Sequence, residues 1–172
     1  REGMTARLDF ACFRTAVRGF ASLQLDGRLF VNLTPEGLIS LGDDPDSVSA
    51  VLAHNGMSPA DLVFELTERS ILADYEAIRR AMRALGELGV AFAIGDLGAG
   101  YSGLRAWSEL CPEFVKIDRY FTASIDSDPL KMEFVRAITD MARAARSTVV
   151  AEGVETLLEA RELIEAGVDC LQ

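Results

Sequence analysis

The sequence predicts an α/β fold in which parallel strands alternate with covering helices, and three observations carry that expectation. Short β-rich runs recur at 29–33, 62–66, 90–94, 114–117, 148–151 and 168–171. Apolar residues at three-to-four-residue spacing fill the intervals between these runs, the mark of helices with one buried stripe. Five consecutive strands end in a polar residue, so the strand ends carry more than packing.

The elements follow in order. A helical pattern over 8–20 opens the chain, and Phe30-Val31-Asn32-Leu33 then places an amide in an otherwise apolar strand. A helix after the acidic turn at Asp43 to Asp46 carries His54 near its end. The next strand, Leu62-Val63-Phe64-Glu65-Leu66-Thr67-Glu68, holds a carboxylate deep within it. Side chains two apart share a strand face, so Val63, Glu65 and Thr67 point one way and Phe64 and Leu66 the other. Ile78, Ala81, Met82, Leu85 and Leu88 mark a helix, and the strand at 90–94 runs into Gly95 and Asp96. The run Leu97-Gly98-Ala99-Gly100-Tyr101-Ser102-Gly103 reads as a turned loop, and it lacks the Gly-Lys-Ser or Gly-Lys-Thr ending of a P-loop. Trp107, Phe114 and Tyr101 read as core or subunit contacts rather than base-stacking groups.

Phe114-Val115-Lys116-Ile117-Asp118 sets Lys116 and Asp118 on a shared face. Leu130, Phe134, Ile138, Met141 and Ala145 mark the following helix, and Val149-Val150-Ala151 leads to Glu152. The last helix runs from about Leu157 to Ala166, with Thr156 as its N-cap and Gly167 at its left-handed end.

Composition limits the function. The 172 residues carry 17 Lys plus Arg against 27 Asp plus Glu, a formal charge of −10, which argues against a protein that tracks duplex phosphates. With 49% hydrophobic and 26% charged residues the chain has material for a core and lies far from disordered compositions. No apolar run reaches membrane-span length, and the three unpaired-looking cysteines, Cys12, Cys111 and Cys170, read as reduced, so a cytoplasmic setting without membrane contact is expected. His54 is the sole histidine, which removes His-rich zinc sites and leaves carboxylates, amides and lysine for any chemistry.

Periodicity alone does not separate an open sheet from a closed barrel. Strand ends favour the barrel, because a (β/α)8 mouth gathers residues from several strands, whereas an open sheet spreads them out. The expected cavity is lined by Asn32, Glu65, Asp96, Lys116, Asp118 and Glu152. Carboxylates facing one another need protons, partners or a metal, and oxygen donors without His or Cys suit Mg2+ or Mn2+. Lys116 is one of only two lysines in a chain with fifteen arginines. A compact ammonium suits a phosphate oxygen or a water, but a lysine bridging Glu152 and Asp118 for structural reasons explains it equally well.

The runs Asn32-Leu33-Thr34, Glu65-Leu66-Thr67-Glu68, Asp96-Leu97-Gly98-Ala99-Gly100-Tyr101-Ser102, Val115-Lys116-Ile117-Asp118 and Ala151-Glu152-Gly153-Val154-Glu155, in this order, resemble the successive signatures of the EAL domain family. The resemblance implies a TIM-like barrel in a bacterial signal-transduction protein, hydrolysing cyclic di-GMP to the linear dinucleotide pGpG with Mg2+ or Mn2+, or only binding it. It further implies that Asn32, Glu65, Asp96 and Glu152 are metal ligands and that Lys116, Asp118 and Glu152 serve catalysis on an attacking water. By the same resemblance Glu155 and Gln172 complete the metal and ligand shell, and Glu68 anchors the glycine loop. Protomer pairing around 106–121 and regulatory domains elsewhere in a longer parent chain are also implied.

Two departures accompany the resemblance. The family's paired aspartates before the glycine loop stand here as Gly95-Asp96, and the strand bearing the Glu-Ala-Leu run is missing. The expectation is therefore a single EAL-like domain over 1–172, an incomplete barrel lacking its first strand and its C-terminal end. Its phosphodiesterase activity should be impaired, and the alternatives are a degenerate cyclic di-GMP receptor or a protein-interaction scaffold.

Overall fold

The computed structural model describes residues 3–67, 74–97 and 103–172, and packing divides the chain into two compact units, Arg1–Phe92 and Ala93–Gln172. The α/β class expected from the sequence is observed, as strands alternating with helices in an incomplete (β/α)8 pattern.

In the first unit, helix α1 (Met4–Leu23) precedes strand β1 (Leu29–Asn32), helices α2 (Pro35–Asp43) and α3 (Pro45–His54), strand β2 (Leu62–Thr67) and helix α4 (Tyr75–Gly86). Strands β1 and β2 pair in parallel, with Val31 opposite Phe64 and Asn32 opposite Glu65. Phe64 is fully buried and packs edge-on against Phe13 of α1, ring centroids 5.4 Å apart. Alternation along a strand then fixes the faces: Val31 and Phe64 look toward the helix, while Asn32 and Glu65 lie on the opposite face.

Helices begin where the sequence supplies caps. The Thr34 hydroxyl accepts from the Gly37 N–H with Pro35 in the first turn of α2, and Asp44 and Asp74 cap α3 and α4 in the same way. The buried stripe of α4, Ala77, Ile78, Ala81 and Leu85, matches the expected spacing. Helix α2 packs closely on α4, since a Cβ on Gly42 would collide with Ala81.

Strand β3 (Ala91–Leu97) carries the chain from the first unit into the second. There it is followed by α5 (Gly103–Leu110), β4 (Phe114–Ile117), α6 (Arg119–Thr122), α7 (Pro129–Ala145), β5 (Thr148–Ala151), α8 (Leu157–Glu165) and β6 (Cys170–Leu171). Strands β3 to β6 pair in parallel in chain order. Val115, Ile117, Val149 and Ala151 are at most 1% exposed and form the centre of this core. Trp107 is buried too, donating through Nε1 to the Ser147 hydroxyl at 3.1 Å, and Ser147 in turn donates to the Pro112 carbonyl at 2.8 Å. Trp107 and Phe114 are thus core residues, as expected.

Two strands differ from the sequence expectation. β3 continues three residues beyond Ile94, because a bulge between Ile94 and Leu97 absorbs one extra residue and lets Leu97 rejoin Ile117. β6 is only Cys170–Leu171, because the Asp169 carboxylate takes the Val149 N–H at 2.7 Å and the ladder starts after it. Thr156 caps α8 and Gly167 ends it at φ 89, as expected. His54 closes α3 at its exposed end. The three cysteines are free and exposed. Among the described residues no helix is long and apolar enough to cross a membrane.

Candidate functional site

The first unit brings two of the expected metal ligands together. Asn32 and Glu65 are register partners on the face turned away from α1, Asn32 exposed and Glu65 only 5% exposed. The end of β1 is held in place from outside the strand. The Asp9 carboxylate of α1 accepts both the Thr34 N–H at 3.0 Å and the Thr34 hydroxyl at 2.6 Å, while Leu33 N–H donates to the Glu65 carbonyl at 2.9 Å. A carboxylate on two donors of one residue fixes the turn immediately after Asn32.

The second unit brings Lys116 and Glu152 together. Lys116 is paired with Val150, and Glu152 lies two residues further along that strand direction, so both side chains share a face. Lys116 Nζ and Glu152 Oε1 form an ion pair in which the lysine side chain is 5% exposed and the carboxylate 23%. Asp118, in contrast, caps the short helix α6 through the Tyr120 N–H at 2.7 Å.

Asp96 lies in the bulge of β3 with φ 56, a left-handed conformation that aspartate tolerates better than most residues. Next to it, Asp118 N–H approaches the Leu97 carbonyl at 3.4 Å. Gln172 is fixed by its backbone, donating to the Ala151 carbonyl at 2.8 Å and accepting from Val154 N–H at 3.0 Å. Glu155 pairs with Arg119 at 2.6 Å in an exposed position. Glu68 and the glycine loop from Gly98 to Ser102 lie outside the described residues.

A set of residues overlooked in the sequence holds the loop after β5 against the segment after β4. The Thr122 hydroxyl donates to the Glu152 carbonyl. Gly153, at φ 66, lies under the Arg119 side chain, where a Cβ would sit 2.6 Å from Arg119 Cγ. Glu159, 6% exposed, accepts the Ser124 N–H at 2.7 Å, the Glu155 N–H at 3.0 Å and the Thr156 N–H at 2.9 Å. The Ser124 N–H, followed by the Glu155 N–H, holds the Glu159 carboxyl below its ordinary value of 4.5, against the opposing effect of burial. The Thr-x-x-Glu spacing of Thr156 and Glu159 signals a capping box. Nothing in the sequence marks the reach to Ser124.

This carboxylate imposes a pH dependence. Its folded pKa is lowered, so its stabilising contribution is complete above 4.5 and is lost as pH falls through the lower folded value. Glu159→Gln should abolish that part of the acid dependence. It should also speed amide exchange at Ser124, Glu155 and Thr156 at neutral pH, with β4 and β5 unchanged. Exchange measured by NMR that is unaltered at these three amides contradicts the assignment.

A family model for the EAL domain matches residues 1–172, across both compact units. The chain belongs to the EAL domain family. It is 34% identical over 179 residues to the probable cyclic di-GMP phosphodiesterase PdeI of Escherichia coli, covering 99% of this chain and 22% of that protein. It also resembles the solved EAL domain of Mycobacterium smegmatis DcpA, with a TM-score of 0.84, 32% identity and coverage of 96% of this chain and 76% of that one. A third match is Klebsiella pneumoniae BlrP1 in complex with calcium and cyclic di-GMP, with a TM-score of 0.86, 30% identity and coverage of 95% and 42%. This EAL domain spans about a fifth of the length of the curated relatives it matches, 21% and 22% for two of them.

Among the described residues of this EAL domain, no group of three or more Asp, Glu, His or Cys side chains is gathered so as to hold a metal. Asn32 and Glu65 supply two oxygen donors of the type a hard cation takes, and Mg2+ characteristically uses one or two carboxylates with waters and substrate phosphates for the rest. Donor chemistry in the first unit therefore fits such an ion. In the second unit Glu152 is already engaged by Lys116, and Gly95 contributes no side-chain donor beside Asp96.

Proposed function

We propose that this EAL domain binds cyclic di-GMP with Mg2+ or Mn2+ and hydrolyses it to pGpG weakly or not at all. The observation that carries the reading is the pairing of Asn32 with Glu65 on the face of their strands turned away from α1, together with the ion pair of buried Lys116 with half-buried Glu152 in the second unit. Relatives named as cyclic di-GMP phosphodiesterases and relatives solved with the nucleotide support the same ligand.

In this reading Asn32 and Glu65 of the first unit would offer oxygen ligands to a divalent cation, and in the second unit Asp96 and Glu152 would do the same, Glu152 from its pair with Lys116. A bound divalent cation supplies Lewis acidity, lowering the pKa of water and stabilising charge on phosphodiester oxygens. Lys116 holds the Glu152 carboxylate in a fixed orientation and orients the attacking water by a hydrogen bond to its oxygen. Asp118 directs one carboxylate oxygen to its own helix cap, leaving the other to accept from that water. Glu155 and Gln172 complete the ligand shell, and Glu68 anchors the glycine loop.

Gly95 favours the receptor alternative over the enzyme, because a side-chain ligand of the reacting centre is absent there. The exposed Tyr120, Leu130 and Phe134 of α6 and α7 support protomer pairing at this edge. In this reading the domain acts in the cytoplasm as part of a longer signalling protein.

Incubation with cyclic di-GMP and Mn2+, followed by chromatographic separation, tests the reading. Slow or undetectable formation of pGpG is expected, and rapid, metal-dependent turnover contradicts the impairment ascribed to Gly95.

A further inference from the structure

The outward faces of α1 and α3 bound a concavity of about 770 Å3 within the first unit, and none of the proposed site residues lines it. From α1 it receives Ala11, Arg14, Thr15 and Arg18, and from α3 Ser47, Ala50, Val51 and His54. No lining residue is acidic, although the chain as a whole carries a charge of −10.

Its arginines are uncommitted. Arg80, Arg119, Arg136, Arg143 and Arg161 each pair with a carboxylate. Among the described residues Arg14, Arg18 and His54 pair with none, and the Arg14 guanidinium instead lies 5.8 Å from the centroid of the Phe10 ring. Arg14 and Arg18 are one helical turn apart on the same face. Between the charges the lining is small or apolar, with Ala11, Ala50 and Val51. A small inorganic anion would meet the arginines and leave that apolar lining in water. A helix bearing carboxylates four residues apart, with small side chains between them, meets both features.

We propose that this groove docks an acidic helix of a partner protein, with successive-turn carboxylates engaging Arg14 and Arg18. His54 at the C-terminal end of α3 borders the same groove. The contact is exposed and ionic, so it weakens as salt screens it. It is independent of the nucleotide reading.

The test is fluorescence anisotropy with a labelled alanine-rich helix of about 20 residues, long enough to be helical alone, carrying Glu at i and i+4 along one face. The native protein should bind it saturably. Replacing its Glu by Gln, or introducing the double substitution Arg14→Glu and Arg18→Glu, should weaken binding by about tenfold or more. Both arginines are exposed, so the variant should keep the thermal midpoint of the native protein. The proposal is overturned by absent binding, by equal binding of the Gln peptide, or by undiminished binding to the double variant. Displacement of the peptide by an equal concentration of inorganic pyrophosphate overturns it too, in favour of a small-anion site.

Discussion

Leucine in place of Glu152 should destabilise the protein by about 3 kcal/mol, the low end of the cost of removing one partner from a buried ion pair. Methionine in place of Lys116 should cost less than about 1.5 kcal/mol, a typical value for volume-conserving replacement. The difference follows from exposure. With Glu152 gone, an ammonium on a side chain 5% exposed loses this carboxylate, and water replaces it poorly. With Lys116 replaced by a chain of similar length, the packed stem is preserved and a carboxylate that is 23% exposed can hydrate. The double variant should resemble the Lys116 variant, since the charge that made the Glu152 change costly is no longer there. Urea unfolding, with midpoints and slopes compared across all four proteins, reads this directly. Equal single costs that simply add would show that the two groups are not coupled.

Aspartate in place of Gly95 should raise turnover of cyclic di-GMP by about a hundredfold, the usual effect of one group acting on transition-state charge. Gly95 is buried, and the left-handed backbone of the bulge falls on Asp96 rather than on Gly95, so a side chain there meets no φ penalty. A new buried carboxylate without a cation is destabilising, so the variant should unfold earlier than the native protein in chelator. Mn2+ should recover the difference, because a ligand that binds only the folded state raises its stability. The two readouts separate causes. Turnover that stays at the native level while Mn2+ restores stability would remove Gly95 as the reason for impairment; a variant that neither gains activity nor responds to Mn2+ would remove the metal ligand role at this strand end.

The sequence made the architecture legible because each strand is a compact β-rich run and each helix an interrupted apolar stripe. Phe114–Ile117 and Thr148–Ala151 coincide with the expected strands, and Thr156 and Gly167 bound α8 as their chemistry requires. The facing of Glu65 follows from two-residue alternation alone. Less legible were features that depend on partners distant in sequence. The bulge at Gly95 and Asp96 is a mismatch of register with β4, which no local pattern contains. The Asp169 side chain shortens β6 by occupying an N–H of β5 twenty residues away. Asp9, Thr122 and Glu159 act on loop backbones 25 to 35 residues removed, and acidic or hydroxyl residues in helices ordinarily read as facing water. Of the bridge from Lys116 to Glu152 and Asp118 that the sequence allows, the ion pair with Glu152 is present, and Asp118 caps a helix.

Calorimetric titration of the protein with cyclic di-GMP, in Mg2+ and again in chelator, is the most direct measurement of ligand recognition by this EAL domain. Saturable heat at a one-to-one ratio, stronger with Mg2+ and reduced by Asn32→Ala or Glu65→Gln, is the expected result. Absence of saturable binding under both conditions, or binding indifferent to these two residues, would contradict it.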